Sequence, residues 1–338
     1  KTAGEAFKNV RVLKDVPADQ LIPTMQFIAA SLGVECTFCH VQGAFEKDDR
    51  KEKQTARRMM QMMAGINKDN FDGDRDVTCY SCHRGSPAPQ TIPAIAATEP
   101  APGPEPAATP PALPSADQVI EKWAQAVGAD ALRKVTSRVQ KGQLLGFGGR
   151  PAPIEVVAKA PDKRISVVQT PRGESITAYD GSHGWLTSRE GAHPMTAAES
   201  EAARLDADLQ LPLHLKQLYA GFRVQPSERI GDRDAVLLVA ANEGKPPLKL
   251  YFDAQNGLLL REQRYADTAL GYLPTQIDFA DYRDVDGVKV AFRWTLARPA
   301  GRFTIQIDST QQNVPVDDAR FAMPSPPPLP PAAQAPPK

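Results

Sequence analysis

The sequence predicts a multidomain chain in which a small α-helical domain precedes a larger α+β domain with an antiparallel sheet. A proline-rich stretch divides the chain, apolar residues before it follow helical spacing, and apolar residues after it mostly alternate with polar ones. The 338 residues suffice for two domains of ordinary size. Forty basic side chains balance forty acidic ones, so bulk charge favours no nucleic-acid partner.

Proline marks the predicted boundaries. The chain contains 32 prolines, concentrated in two stretches that hold few bulky apolar side chains. Residues 87–114 are therefore predicted to be a semi-rigid linker between a domain at 1–86 and a domain at 115–323. This linker is expected to let the second domain lie well away from the first. Residues 324–338 form a proline-rich tail, interpreted as disordered or as a docking strand for an aromatic groove.

Every cysteine of the chain lies in one of two copies of a single motif, CTFCH at 36–40 and CYSCH at 79–83. The pattern C-x-x-C-H is typical of covalent c-type haem attachment, in which both thiols bond to the haem and the histidine binds its iron. The predicted attachment residues are Cys36, Cys39, Cys79 and Cys82. The predicted histidine ligands are His40 and His83. The first domain is thus predicted to hold two haem c groups.

Three other interpretations of the cysteines fit less well. A four-cysteine zinc ribbon has about 15 to 20 residues between its pairs, whereas 39 residues separate Cys39 from Cys79. A redox dithiol would need a strand–helix context, which neither motif has. A disulfide within each pair would be strained. None of the three explains the histidine after each pair.

A predicted helix that carries methionine precedes each motif. Met25 lies in the apolar segment 21–32, and four methionines crowd the segment 51–67: Met59, Met60, Met62 and Met63. Methionine is a common sixth ligand of haem iron, but it also fills gaps in hydrophobic cores. Because one iron takes only one further ligand, at least three of the clustered four must have the packing role.

Three runs of the sequence resemble the repeat of the cytochrome c subunit of photosynthetic reaction centres: MQFIAASLGVECTFCH at 25–40, ARRMMQMMAGIN at 56–67 and VTCYSCHRG at 77–85. The resemblance covers about residues 9–89. It implies that Met25 binds the iron of the first haem and Met59 that of the second. The chain departs from the family in having two motifs rather than four, and in lacking a histidine in 69–78 that some members have.

The motifs and the resemblance together predict an electron carrier rather than an enzyme. Arg57, Arg58 and Arg84 are candidate partners of haem propionates, or else belong to a solvated face. Covalent haem attachment takes place outside the cytoplasm, so the expected location is the periplasm or the cell surface. Expected partners are redox proteins: a reaction centre, a respiratory complex or other cytochromes.

The N-terminus bears on the location as well. The chain begins at Lys1 rather than methionine, so we expect a processed N-terminus, with which any export signal or lipid anchor would have been lost. Membrane association is expected through a partner or through such an anchor.

The second domain reads as one helix followed by a series of strands, which a second helical patch at 196–219 interrupts. Residues 115–118 fit a capping box before a helix at 117–127. Alternating apolar residues at 288–296 and 303–307, with turn dipeptides at 180–181, 256–257 and 286–287, predict antiparallel strands. With the hairpin sequence YDGSHGW at 179–185, this region resembles the half-barrel fold of periplasmic lipoprotein carrier and sorting (LolA-like) proteins. In that fold a curved sheet usually holds an acyl chain in an apolar cavity, and the sequence does not distinguish such a cavity from a filled core.

No catalytic motif emerges in the second domain. The sequence has no G-x-S-x-G, H-E-x-x-H or phosphate loop, and His183, His193 and His214 are too far apart for a chain-local metal site. We therefore expect a docking module. The alternative function is a periplasmic carrier or scaffold that binds lipid or protein, with the haems secondary.

Overall fold

The structure, a computed structural model, describes residues 1–89, 91, 113–146, 150–188, 191–225, 229–299 and 301–324. The chain forms two compact units. One comprises Lys1–Ala126, Leu215–Ala280 and Trp294–Phe303, and the other Val127–His214, Asp281–Arg293 and Thr304–Lys338. Most of the predicted linker and nearly all of the tail lie outside the described residues, so the proposed domain limits stay a prediction.

The N-terminal segment, residues 1–89, is helical as predicted. Its helices are α1 (Ala3–Ala6), α2 (Leu21–Leu32), α3 (Cys36–Cys39), α4 (Lys51–Asn70) and α5 (Cys79–His83), with a 3-10 turn at Ala18–Gln20. The two long helices carry the methionines, and each motif forms a short helical turn. This arrangement confirms the order of helix, turn and motif expected from the sequence.

Helix α2 ends at Gly33, where the φ of 65° suits glycine. The amide of Val34 donates to the carbonyl of Ala29 at 3.0 Å, which satisfies an end of the helix that would otherwise lack partners. A Cβ atom at position 33 would overlap the carbonyl oxygen of Gly85. The amide of Gly85 in turn donates to Ser31 at 2.9 Å. The end of α2 and the residues after α5 are thus in direct backbone contact.

Residues 113–324 form the predicted mixture of helices and strands. The helices are α6 (Ala116–Val127), α7 (Ala129–Leu132), α8 (Ala197–Ala207) and α9 (Leu211–Leu218), with a 3-10 turn at Asp318–Phe321. The strands are β1 (Ser137–Leu145), β2 (Ala152–Lys159), β3 (Lys163–Thr170), β4 (Gly173–Asp180), β5 (Gly184–Ser188), β6 (Gly191–Pro194), β7 (Gly221–Gln225), β8 (Arg229–Ile230), β9 (Arg233–Ala241), β10 (Leu248–Asp253), β11 (Leu259–Thr268), β12 (Gly271–Val285), β13 (Val288–Arg298) and β14 (Gly301–Gln312).

The strands within the described residues belong to one open sheet in the order β6-β5-β4-β3-β2-β1-β14-β13-β12-β11-β10-β9-β7, with β8 paired to β9. The described pairings are antiparallel: β1 with β2, for example, pairs Val139 with Val157, and β10 with β9 pairs Leu250 with Leu238. Antiparallel strands alternate their side chains between two faces, which explains the alternation seen in the sequence.

Short sequence signals correctly predicted the turn between β12 and β13 and the N-terminal cap of α6. Asp286 and Gly287 join β12 to β13 with φ values of 51° and 83°, as expected for a two-residue hairpin turn. Before α6, the Gln118 amide donates to the Ser115 hydroxyl at 3.2 Å, and the Ser115 amide donates to the Gln118 side chain at 2.8 Å. Both hydrogen bonds of the predicted capping box are therefore present.

Each compact unit has its own apolar clusters. In the second unit one cluster is formed by Val157, Ile165, Ala178, Trp185 and Phe321. In the first unit a cluster joins the N-terminal segment to the β11–β12 turn, through Leu13, Leu21, Phe27, Met60, Met63, Leu270 and Leu273. The N-terminal segment and the β11–β12 turn of this unit therefore share a core, against which Cys79 of the second motif packs.

The linker was expected to let the sheet lie well away from the two motifs, but the β11–β12 turn of the sheet packs against α2. Gly271 lies so close to the Phe27 ring of α2 that a Cβ atom there would be 2.5 Å from it. The amide of Ala269 donates to the buried Thr24 hydroxyl at 3.3 Å. A long linker permits separation but does not enforce it, and apolar burial favours contact. No helix within the described residues is long and apolar enough to cross a membrane.

Candidate haem-binding sites

Each C-x-x-C-H motif forms a short turn of helix. Residues three apart lie on one side of a helix, so Cys36 and Cys39, and likewise Cys79 and Cys82, face the same way. All four are free thiols, two exposed and two half-buried. Burial, with a smaller contribution from Glu52, raises the pKa of the Cys39 thiol, and burial raises that of Cys79. Raised pKa values do not suit a reactive redox dithiol.

Each motif histidine is oriented for a ligand role. The Nδ1 atom of His40 lies 2.9 Å from the carbonyl oxygen of Phe45, and Nδ1 of His83 lies 3.0 Å from that of Ser86. A carbonyl only accepts, so Nδ1 must carry the proton in both rings. Nε2 then has a free lone pair, the arrangement that metal-binding histidines commonly show.

Several large apolar side chains are exposed in the N-terminal segment that carries both motifs. The exposed set includes Phe38, Phe45, Met59, Met62, Phe71 and Tyr80. Exposed apolar groups concentrated in one region mark a surface that some other group covers. An open recess of about 530 Å³ beside the first motif is lined by Val34, Glu35, Thr37, Phe38, Arg50 and Glu52. With the cysteine pairs and the free Nε2 atoms, these residues fit covalently held haem.

The methionines of α4 separate into two faces. Met60 and Met63 are 8% exposed and belong to the apolar cluster, so two of the four have the packing role that the sequence assigned to at least three. Met59 and Met62 lie on the exposed face, one turn apart. Met25 on α2 is half-buried against the cluster. The assignment of Met25 and Met59 to the irons stays a prediction, with Met62 as its competitor.

The three candidate arginines have different surroundings. Arg57 donates to Asp48 at 3.0 Å and to the carbonyl of Asn9 at 3.1 Å. Arg58 donates to the Thr55 hydroxyl at 3.3 Å and is exposed, and Arg84 is also exposed, with a φ of 49°. A propionate role therefore stays a prediction for all three. Arg57 would have to share its guanidinium with Asp48.

Sequence reasoning missed the residues that hold the first motif. Lys53, only 8% exposed, donates to the carbonyls of Phe45 (2.8 Å), Glu46 (3.1 Å) and Lys47 (2.8 Å). Asp48 lies 3.2 Å from the Lys53 ammonium. Hydrogen bonds from Arg57 and from Lys53 hold the pKa of the Asp48 carboxyl well below its usual range. These contacts fix the loop that accepts the His40 hydrogen bond.

The second motif is held by other residues that sequence reasoning missed. The Asn67 side chain donates to the carbonyl of Val77 at 2.8 Å and accepts from its amide at 2.9 Å. Arg75 pairs with Asp267 at 2.8 Å, donates to the carbonyl of Thr268, and lies 5.6 Å from the ring centre of Tyr272. The approach to Cys79 is thus anchored both to α4 and to the β11–β12 turn.

The N-terminal part of the chain is similar in sequence to known proteins. Residues 1–117 match the family of photosynthetic reaction centre cytochrome c subunits. The subunit from Thermochromatium tepidum is 36% identical over 92 residues, covering 26% of this chain and 23% of that protein. Cytochrome c-554 from Chloroflexus aurantiacus is 31% identical over 86 residues, covering 23% of this chain and 20% of that protein. The resemblance seen in the motifs is confirmed.

The match supports a cytochrome c function for the N-terminal part of the chain. It extends over about a quarter of the length of these relatives, so what the whole chain does is a separate question. The matched region ends near the start of α6. The sheet lies beyond it.

Solved structures similar to this chain cover mainly the sheet. A DUF1329 family protein from Desulfovibrio piger has a TM-score of 0.44 and 13% identity, covering 61% of this chain and 96% of that one. A LolA superfamily protein from Nitrosomonas europaea has a TM-score of 0.40 and 12% identity, covering 62% and 98%. These likenesses are weak, and the description of the sheet rests on its own strands.

The histidines of the sheet region do not come together. The Nδ1 atom of His214 lies 2.9 Å from Asp208, while His183 lies in the turn between β4 and β5 and His193 lies within β6. Among the residues that the structure describes, no group of three or more His, Cys, Asp or Glu side chains is arranged to hold a metal ion.

Proposed function

We propose that this chain is an extracytoplasmic electron carrier with two haem c groups, one on each C-x-x-C-H motif. The observation that carries the proposal is the repeated local geometry: in both motifs a carbonyl fixes Nδ1 and leaves Nε2 free for iron. The match to reaction centre cytochromes supports the same function. When bound, haem iron supplies a one-electron couple.

The residues of the chain then have distinct tasks. Cys36 and Cys39 hold the first haem and Cys79 and Cys82 the second, while His40 and His83 bind the irons. Met25 and Met59 would each supply a further ligand to one iron, which would favour electron transfer over binding of substrate and raise the reduction potential relative to two histidine ligands. The apolar side chains around each motif exclude water from the haem.

The relatives and the chemistry support several candidate partners. The matched proteins are named as reaction centre subunits, so a reaction centre is one candidate partner. A respiratory complex or another cytochrome would use the same motifs. Because haem is attached outside the cytoplasm, the proposed location is the periplasm or the cell surface, with the sheet as a docking module.

A pyridine haemochrome assay on the purified chain tests the proposal. We expect two covalently bound haems per chain, one being lost in a Cys36→Ala/Cys39→Ala variant and one in a Cys79→Ala/Cys82→Ala variant. A count below two in the unmodified chain would favour the alternative, a carrier or scaffold in which haem is secondary.

Methionine variants test the axial ligands. Met25→Ala and Met59→Ala should each reduce the methionine-to-iron charge-transfer band by half, whereas Met60→Ala should alter only stability because Met60 is buried in the core. If Met62→Ala rather than Met59→Ala removes the second half of the band, the assignment on α4 is wrong by one helical turn.

A further inference from the structure

We propose that buried Lys53 raises the reduction potential of the haem on the first motif above that of the haem on the second. The proposal rests on the function proposed above, since it requires both haems. The hydrogen bonds described for Lys53 go to backbone carbonyls and to Asp48, and not to His40 or His83. Its role is therefore to position and polarise the Phe45 carbonyl, which His40 also contacts.

The argument begins with a shared acceptor. The carbonyl oxygen of Phe45 accepts from Nδ1 of His40 at 2.9 Å and from the Lys53 ammonium at 2.8 Å. Lys53 donates to the next two carbonyls of the loop as well. With 8% of its surface exposed, Lys53 has little water to compete for its protons. The Phe45 carbonyl is therefore bonded to a positive charge at close range.

A carbonyl bonded to a cation is a weaker acceptor for a second donor. Hydrogen bonding to the outer nitrogen of a ligand histidine raises the basicity of the ring, and a more basic ring stabilises the oxidised iron. When Lys53 takes part of the Phe45 lone-pair density, His40 gains less of this basicity. The oxidised iron of the first haem is then less stabilised, and its reduction potential is higher.

The second motif offers His83 a different acceptor. Within the described part of the chain, the carbonyl oxygen of Ser86 has the His83 ring as its side-chain donor, at 3.0 Å. Nothing comparable to the Lys53 ammonium is bonded to it in the hydrogen bonds described. His83 therefore keeps the full basicity that its hydrogen bond confers, and the second haem is the lower-potential member of the pair.

Asp48 moderates the effect of Lys53. Its carboxylate lies 3.2 Å from the Lys53 ammonium and 3.0 Å from Arg57, and so opposes the positive charge near the Phe45 carbonyl. Removing the lysine and removing the carboxylate should therefore shift the potential of the first haem in opposite directions. A purely structural role for this cluster predicts the same direction for both, because either change loosens the loop and admits water.

The experiment is a potentiometric titration of the intact holoprotein and three variants, after the haemochrome assay has given two haems for each. Lys53→Gln should lower the reduction potential of one haem and so change its redox equilibrium constant about tenfold. For a one-electron couple this change equals 59 mV. Asp48→Asn should raise the same potential. The control Lys51→Gln, an exposed lysine on the same helix, should leave both potentials unchanged.

Several outcomes overturn the inference. The first is that Lys53→Gln leaves both reduction potentials unchanged. The second is that Lys53→Gln and Asp48→Asn shift the potential in the same direction. The third is that the shifted potential belongs to the second haem, which the Cys79→Ala/Cys82→Ala variant identifies because it lacks that haem. A haem count below two overturns the proposed function instead.

A measurement on the unmodified protein covers the case in which Lys53→Gln does not fold. In the reduced state, the His40 Nδ1 proton should resonate upfield of the His83 Nδ1 proton, because its hydrogen bond is weaker. The reverse order contradicts the proposal.

Discussion

The two C-x-x-C-H motifs have the same local geometry but are supported from different places. The first is held within the N-terminal segment: Lys53 and Asp48 hold the loop at 45–47 that positions His40, and Asp48 accepts in turn from Asn9 and Arg11. The second depends on distant residues: Gly33 abuts Gly85, and Arg75 reaches a carbonyl 193 positions away in the β11–β12 turn. Substitutions in the β11–β12 turn should therefore affect the second motif more than the first.

The largest expected effect comes from the backbone contact at Gly33. Gly33→Val combines a strained φ with overlap on the Gly85 carbonyl, and should lower the free energy of unfolding by roughly 2–4 kcal/mol. Gly43→Val is the matched control: its φ is 75° and nothing lies within 4 Å, so only strain of about 1–2 kcal/mol applies. Thermal unfolding and haem counts measure both. Equal losses would show that the Gly33–Gly85 contact is unimportant.

The next effect concerns the sheet turn. Gly271→Ala places a Cβ atom 2.5 Å from the Phe27 ring and should cost about 1–3 kcal/mol by overpacking. It should also weaken the hold of the turn on α2. After proteolysis within residues 96–110, we expect the two fragments of the unmodified chain to co-elute in gel filtration and those of Gly271→Ala to separate. Gly173→Ala, at an open position with a φ of 112°, is the control. Separation of the unmodified fragments would favour two independent domains.

Arg75 should contribute less, because its ion pair with Asp267 is partly exposed. Arg75→Gln should lower stability by about 0.5–1 kcal/mol, and the difference from the unmodified chain should shrink in high salt. Arg58→Gln removes an exposed arginine that contacts only Thr55 among its described hydrogen bonds and should change little. Urea unfolding at two salt concentrations separates the two variants. A salt-independent loss would mean that Tyr272 stacking rather than charge matters.

The smallest effect is a pH dependence confined to the first motif. The folded-state pKa of Asp48 is lowered by Arg57 and then by Lys53, so its stabilising contribution is complete above about pH 4, the unfolded pKa. That contribution is lost as the pH falls toward the folded pKa. Asp48→Asn should therefore be less stable than the unmodified chain at pH 7, with a gap that narrows below pH 4. A gap that stays constant down to pH 2 would contradict the ion-pair explanation.

Sequence patterns predicted the features that neighbouring residues determine. The bounds of α2, the start of α4, the capping box at Ser115 and the turn at Asp286 all follow from signals a few residues long. The contact of Phe27 with Gly271 has no such signal, because nothing local specifies which distant turn an apolar helix face meets.

Lys53 illustrates the same limit at the candidate site. In a helix, a lysine among charged neighbours reads as a solvated residue, and only the fold shows three carbonyls around its ammonium. The cysteine pairs, by contrast, were predictable because their chemistry requires a fixed local spacing.

Asn67 has a consequence for how this protein could be altered or could diverge. Its amide side chain binds both polar backbone groups of Val77, and its carbonyl accepts from the amides of Phe71 (2.9 Å) and Gly73 (3.1 Å). The ends of the intervening loop are therefore tied together whatever its length. Residues inserted after Gly73 and before Arg75 would extend the loop without changing the position of Cys79 relative to α4. An affinity tag or a spectroscopic label should therefore be tolerated there.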